Sequence, residues 1–436
     1  MSPDTVAPDT AAPAAATQAP ANPDGERPLR LAVLCPHFAP DTAPTGEVIT
    51  RIVHELAALG HELHVVTALP WYREHAIEAG WGGRLVRRER TEWGSITRVH
   101  PFPGDDKRNL VRRAAGFAGF SALAGLTSLR GGRVDAVIAM SPPLTMGLTG
   151  WGTHLVRRGP LVFNIQDVFP DAAVETGAIT NRRIIAVARW LERVSYHRAA
   201  AVTVLSDDLR DNVAAKVKPG HRARVHVIPN FVDTEFIRPA DRMTALRAEL
   251  GIGSEPVVLY AGNVGFSQSL EMVIDAARAL PQATFLINGD GAARKSLQEQ
   301  AGGLANVRFS GYQPKERVPE VLATGDIHLV PLKQGLGRVS VPSKTYSILA
   351  AGRPVLAAID PGTEVPRMLA ASGGGVAVPP DDPQAFQHAL SALLGDLPGA
   401  AAMGAAGREW VQGAASPHAV AVAYERLVRS LASRRR

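Results

Sequence analysis

At 436 residues, with 46% hydrophobic and 20% charged side chains, the chain is long enough for more than one core and has the composition of a globular protein. Its net charge of +6 permits contact with an anionic surface without specifying one, and its single cysteine excludes an intramolecular disulfide framework. No run approaches the roughly twenty apolar residues that a membrane span needs.

Residues 1–27 are rich in Ala, Pro, Thr and Asp and too poor in apolar bulk to order themselves. They show neither the early positive charge nor the apolar core of a secretory signal, so the expectation is a disordered tail. From Leu29 the pattern is strand, loop, helix, strand. "LRLAVLC" reads as a buried strand that hides Cys35 as a structural thiol. "HFAPDTAPTG" reads as a loop, "EVITRIVHELAALG" as an amphipathic helix stopped by Gly60, and "HELHVVTAL" as the next strand. The theme continues through "VDAVIAM", "GPLVFNIQDV", the helix "NRRIIAVARWLERVSYHRA", "AAVTVLS", a helix that Ser206 can cap, and "RVHVIPN". After a connection near Asn230 to Pro239 it restarts at "PVVLYAG" and runs through "ATFLING", "VRFSGY" and "DIHLVPL" to "GGVAVPP". Such units are parallel and right-handed by default. The expected class is therefore α/β, with two doubly wound halves over 28–230 and 231–415 and an amphipathic, basic-ended helix over 416–436.

Ligands of such folds sit beyond the carboxyl ends of the strands, and two facing halves make a cleft there. In the first half Gly46 stands just before the first helix. In the second, "AGNVGFSQSLE" supplies Gly262 and Gly265 for close approach and Asn263, Ser267 and Gln268 for hydrogen bonds to phosphate or sugar; "INGDGAARK" adds Gly289, Asp290 and Gly291. The spacings match neither a Walker loop nor a dinucleotide fingerprint. In "VPSKTYSILAAGRPV", Ser343 is positioned to cap a helix and Lys344 adds a charge suited to a diphosphate. Each glycine also reads as a plain turn residue and Lys344 as a surface lysine, but together the loops point to one nucleotide-like ligand.

Asp167 and Asp171 in "FNIQDVFPDAAVE", and Glu364 in "PGTEV", are the acid–base candidates, each equally able to cap a helix. His37 lies beside the first glycine loop. The 13 histidines are scattered without HExxH spacing, so no metal is expected, and no GxSxG elbow supports hydrolase chemistry. In "DDKRNLVRRAAGFAGFSALAGL", Lys107, Arg108, Arg112 and Arg113 run into Phe117 and Phe120. That pattern suits an anionic membrane surface or a lipid-linked ligand, or equally a packed helix with a solvated basic end. At 6% aromatic residues and with no recognition motif, nucleic acid is not an expected partner.

These stretches, with "SPPLTMGL", "LVFNIQDVFPDAAVETGAI", "VHVIPNFVD" and "VPSKTYSILAAGRPV…DPGTE", resemble the retaining GT-B glycosyltransferases of family 4 from about Leu29 to the last helix. The resemblance is strongest to the WcaI- and WbuB-like branch of colanic acid, capsule and O-antigen assembly. It implies two facing Rossmann-like domains, with the C-terminal helix crossing back to the N-terminal one. The nucleotide base would lie near Gly311 and Tyr312, and the diphosphate between Gly46 and the 263–268 loop near Lys344. The implied donor is a nucleotide-diphosphate sugar, UDP-linked, with N-acetylated deoxyhexosamines among those such enzymes use. The implied acceptor is a polyprenyl-diphosphate-linked or other cell-surface glycan, met by the first half. The implied location is cytoplasmic, peripheral at the inner face of the membrane, with no metal or other cofactor.

The departures from the family pattern are specific. A spaced pair of glutamates is replaced by Val339 and Ser347, and the diphosphate-clamping Arg and Lys by Asn263 and Gln268. A histidine of the acceptor half is replaced by Gln166, beside Asp167. The missing glutamates keep open a non-catalytic nucleotide- or glycan-binding relative. A nucleotide-sugar epimerase of similar shape finds no paired acid and base.

Overall fold

The computed structural model describes residues 27–41, 43–73, 76–102, 110–171, 181–337 and 341–433, and the side chains of 110–115 fall outside that description. The expected tail (apart from Arg27), Lys107, Arg108 and Val339 therefore lie outside the described residues, as do the side chains of Arg112 and Arg113.

Two sheets organise the chain. The first has eight strands: β1 (Arg30–Leu34), β2 (Glu62–Ala68), β3 (Val86–Thr91), β4 (Gly94–Val99), β5 (Ala136–Ser141), β6 (Leu161–Ile165), β7 (Ala201–Val204) and β8 (Val225–Val227), in the order β3-β4-β2-β1-β5-β6-β7-β8. Every pairing is parallel except β3 with β4. The second has β9 (Val257–Ala261), β10 (Thr284–Asn288), β11 (Val307–Ser310), β12 (Ile327–Pro331), β13 (Val355–Ala358) and β14 (Gly375–Val378), all parallel, in the order β11-β10-β9-β12-β13-β14. The strand order reverses at β1 and at β9, so each sheet offers a crevice beside its first strand.

The buried strands are near-continuous apolar runs, as parallel strands covered on both faces must be. Cys35, just after β1, is fully buried, and burial pushes its thiol pKa up to about 12. The β3–β4 hairpin was not among the sequence expectations. Its outer strand reads "VRRERT", the charged chemistry of a protected sheet edge, which carries no apolar alternation to find.

In the first half the helices are α1 (Pro44–Ala58), α2 (Leu110–Ser128), α3 (Thr145–Arg157), α4 (Arg182–Arg198) and α5 (Asp207–Lys216). In the second they are α6 (Ala245–Glu249), α7 (Glu271–Ala279), α8 (Arg294–Gln300), α9 (Val318–Thr324), α10 (Lys344–Ala350), α11 (Glu364–Ser372), α12 (Pro383–Gly395) and α13 (Leu397–Ala414). Helices α12 and α13 were also not anticipated. Each opens on an aspartate, Asp382 or Asp396, that accepts a backbone N–H of the first turn at 2.9 Å.

The last helix, α14 (Pro417–Ser433), returns to the first half and packs on α1. Val420, Ala421, Tyr424 and Val428 join the same core as Val33, Val53 and Ile138. The chain thus crosses between halves twice, and the crossings are tied together. The N–H of Val232 donates to the carbonyl of Ala415 at 3.0 Å. Arg408 of α13 donates to the carbonyls of Thr234 and Ile237 at 2.8 Å and of Ala350 at 2.7 Å.

Candidate functional site

In the second half, three strand-end loops lock onto one another. The N–H of Gly262 donates to Asn288 O (2.9 Å), that of Gly289 to Ser310 O (3.0 Å) and that of Val264 to Asp290 O (2.9 Å). Gly289 has φ 143°, and a Cβ there would overlap the carbonyl oxygen of Gly262; a Cβ on Gly291 would overlap that of Val264. These two glycines are required by loop-on-loop contact, a reason the sequence reading did not supply. Arg294, at the start of α8, fastens the group by donating to the carbonyls of Gly289 and Ser310. Gly311 accepts from Asn288 Nδ2 at 2.9 Å and has open space where a side chain would be. Tyr312 is exposed and donates to Asp290 O at 3.3 Å.

Lys344 closes this group. Its Nζ lies 3.8 Å from the centre of the Tyr260 ring, and a Cβ on Gly262 would sit 3.6 Å from the same nitrogen. The residue is partly open to solvent, yet protein crowds its ammonium enough that desolvation pulls its pKa down to about 7. Among the described residues no charged group offsets that cost. Its helix α10 has only seven residues, and Ser343, although at the capping position, makes no side-chain cap. The lysine, rather than a helix dipole, carries positive charge here.

Three other expected contacts take different roles. Gln268 folds back to accept the N–H of Gly265 at 3.0 Å, which shapes the loop. Ser267 uses its carbonyl to receive the N–H of Lys333 at 2.9 Å, while Asn263 stays exposed. Glu364 opens α11 and pairs with Arg367 at 3.1 Å; Arg367 also reaches Asp208 of the first half at 2.7 Å. Glu364 is thus part of an ion-pair chain between the halves.

In the first half Gly46 lies inside the first turn of α1, not before it. A Cβ there would sit 2.8 Å from His37 Cβ, so the glycine lets the helix press on the loop that follows β1. Its neighbour Glu47 faces Lys315 of the second half at 3.6 Å, which puts this turn opposite the 311–315 loop. His37 Nδ1 is 2.6 Å from Asp41, whose carboxylate is fully buried and also accepts the N–H of Tyr72 at 3.2 Å. Trp71 stacks on the imidazole at 5.6 Å between ring centres. Asp41 escaped the sequence reading; its spacing of four from His37 was the available signal.

Asp167 is exposed at the end of β6. Gln166 is buried, and its Nε2 donates to Asn164 Oδ1 at 2.8 Å; Asn164 in turn donates to Tyr424 Oη at 2.6 Å. Asp171 is held by Lys216 at 2.6 Å, which also holds Glu192 at 2.7 Å, so its carboxylate is committed to packing. Phe120 is turned into the core and Phe117 is half-buried. Phe120 is therefore withdrawn as a membrane-contacting residue, because the apolar side of α2 faces the sheet. Among the described residues no group of three or more His, Cys, Asp or Glu is placed to hold a metal ion.

Residues 45–230 match the model of the glycosyl transferase 4-like domain, and residues 255–396 that of glycosyl transferases group 1. A glycosyl transferase assigned to colanic acid biosynthesis, WcaI of Escherichia coli (strain K12), is 28% identical over 383 residues, covering 84% of this chain and 92% of that one. Sucrose-phosphate synthase from Thermosynechococcus elongatus superposes with TM-score 0.64 at 18% identity, over 92% of this chain and 99% of its own. HepE of Anabaena, crystallised with UDP, gives TM-score 0.61 at 15% identity, over 92% and 100%. The two-sheet architecture is that of these neighbours, and with both family domains in sequence the chain belongs to the family-4, GT-B glycosyltransferases of glycan biosynthesis.

Proposed function

We propose that the chain transfers a sugar, with retention of anomeric configuration, from a UDP-linked donor to a polyprenyl-diphosphate-linked or other cell-surface glycan, at the inner face of the membrane. An N-acetylated deoxyhexosamine is the sugar class the resemblance favours. One observation carries the donor site: a desolvated lysine, Lys344, without a compensating carboxylate among the described residues, beside loops whose shape glycine dictates. A diphosphate supplies the missing charge. The UDP bound by the HepE neighbour supports the choice of base, and the WcaI relative supports the glycan class.

In this reading Tyr312 and Gly311 border the base, Gly262, Asn263 and Gly265 border the diphosphate, and Lys344 holds its charge as the glycosidic bond to phosphate breaks. The acceptor hydroxyl attacks on the face the phosphate leaves, and a phosphate oxygen takes its proton. The exposed Asp167 borders the acceptor side, and Gln166 positions it through the chain to Asn164. The reading needs no metal.

The test is thermal stability with UDP, GDP and ADP. A ligand specific for the folded state adds about 2.7 kcal/mol at roughly a hundredfold excess over its dissociation constant. A shift with UDP alone, lost in Lys344→Ala, is the expected result. A shift with GDP or ADP alone overturns the base, and a full shift in the variant overturns the lysine's role.

A further inference from the structure

Helix α4 turns an unusual face to solvent. Val187 is 63% exposed and Trp190 55%, with Ile184 exposed beside them. Positions 183, 187, 190 and 194 share one side at helical spacing. Arg182, Arg189 and Arg193 flank it, and Arg183 lies among the apolar residues; all four arginines are exposed. The one acid of the helix, Glu192, is buried and held by Lys216 at 2.7 Å.

The face extends over two neighbours. Helix α3 is joined to α2 by Ser121–Thr145 and Ser128–Thr153 hydrogen bonds of 2.7 and 2.6 Å, and to α4 by Arg198 stacked 4.4 Å over Trp151. Helices α2 and α3 contain no Asp or Glu, and they expose Leu126, Leu155 and Val156. Three adjacent helices thus present exposed apolar side chains, joined on α4 by exposed arginines and on none of the three by an exposed carboxylate, in a chain with 41 acidic residues to spare.

The occupant follows from that chemistry. An isologous contact with a second copy would set arginine against arginine. A nucleic acid backbone would satisfy the arginines but leave Val187 and Ile184 in water. An anionic bilayer surface satisfies both, with guanidinium groups at the lipid phosphates and Trp190 at the headgroup boundary. Among the described residues no single helix is long and apolar enough to cross a membrane, so the contact is to a surface. We propose that the solvent face of α4, continued by α2 and α3, is the surface by which the N-terminal half sits on an anionic lipid bilayer. Its purpose rests on the lipid-linked acceptor proposed above; its evidence does not.

The experiment is co-sedimentation of the full chain with acceptor-free vesicles of phosphatidylcholine, with and without phosphatidylglycerol. Binding is expected only to the vesicles containing phosphatidylglycerol, and to weaken as salt rises. Val187→Glu/Trp190→Glu should weaken it about tenfold or more, and so should Arg182→Gln/Arg189→Gln. Both variants should keep the wild-type melting temperature and nucleotide shift, because the substituted side chains already face water. Equal binding to both vesicle types, no binding, or undiminished binding by Val187→Glu/Trp190→Glu overturns the proposal. So does a wild-type dimer that the same variant dissociates without any lipid binding. Loss of vesicle binding with the nucleotide shift intact leaves the donor site standing, and the converse leaves the lipid surface standing.

Discussion

In the first half, Asp171 meets Lys216 at 2.6 Å, His37 meets Asp41 at 2.6 Å and Gln166 meets Asn164 at 2.8 Å; in the second, Lys344 lies over the ring of Tyr260 with no charged partner among the described residues. Both halves are built from the same strand–helix alternation, so the difference lies in what their strand-end residues are asked to do. The first half has committed Asp171, Asp41 and Gln166 to its own order, with Asp167 left exposed. The second has built a frame of interlocked loops and left Lys344 without a compensating charge among the described residues. A site that is costly when empty gains most from the ligand that relieves it.

The comparison breaks most readily at Lys344. Lys344→Ala should lower transfer by roughly 10²–10³-fold with the fold intact, the scale for losing one charged stabiliser of a leaving group. Transfer at the wild-type rate would show that the second half is no more poised than the first. Gly289→Ala tests the frame: with φ at 143° and no room beside Gly262 O, it should destabilise the protein by about 3 kcal/mol, read by denaturant unfolding.

The pH dependence sharpens the contrast. With the folded-state pKa of Lys344 at about 7 and its ordinary value at 10.5, the unfolded chain binds the extra proton between those limits. The stability of the ligand-free protein should therefore rise with pH through that window, and Lys344→Met should flatten the rise. Nucleotide affinity should move the other way. It should fall up to about tenfold per pH unit above 7, with proton uptake on binding, which calorimetry in buffers of different ionisation enthalpy can read. A flat affinity profile would mean that the lysine is already charged without ligand.

Two smaller effects probe the first half. Tyr424→Phe should cost about 1–2 kcal/mol by stranding Asn164, without changing nucleotide affinity. Asp171→Asn should cost about 0.5–1 kcal/mol and leave transfer within about twofold, since its carboxylate serves Lys216. A large loss of turnover in Asp171→Asn would return it to the acid–base candidates.

The strands were legible because runs such as "LRLAVLC" and "PVVLYAG" leave a buried parallel strand as the one economical reading. The β3–β4 hairpin was not, because "VRRERT" is charged on both faces. At the site, the residue types could be read but their obligations could not. Nothing local in "INGDG" says that Gly289 is glycine because Gly262 presses on it. Nothing in "VPSK" says that the lysine will be buried against Tyr260 of β9. Gln166 looked like a replaced catalytic group, and its use in a chain reaching Tyr424 depends on a contact between residues hundreds of positions apart. Pairwise chemistry across such separations is set by topology, and one sequence does not record it.

Helix α14 supplies Val420, Ala421, Tyr424, Leu427 and Val428 to a core whose other buried members all precede Phe231. On the ribosome, the first half emerges early and must wait, its core incomplete and its sheet assembled around a missing side, while the second half is synthesised. The second half, whose interlocked loops and core lie within a continuous stretch, can finish first. Folding would then run against the direction of synthesis, with the later half closing early and the earlier half sealed last by residues 417–433.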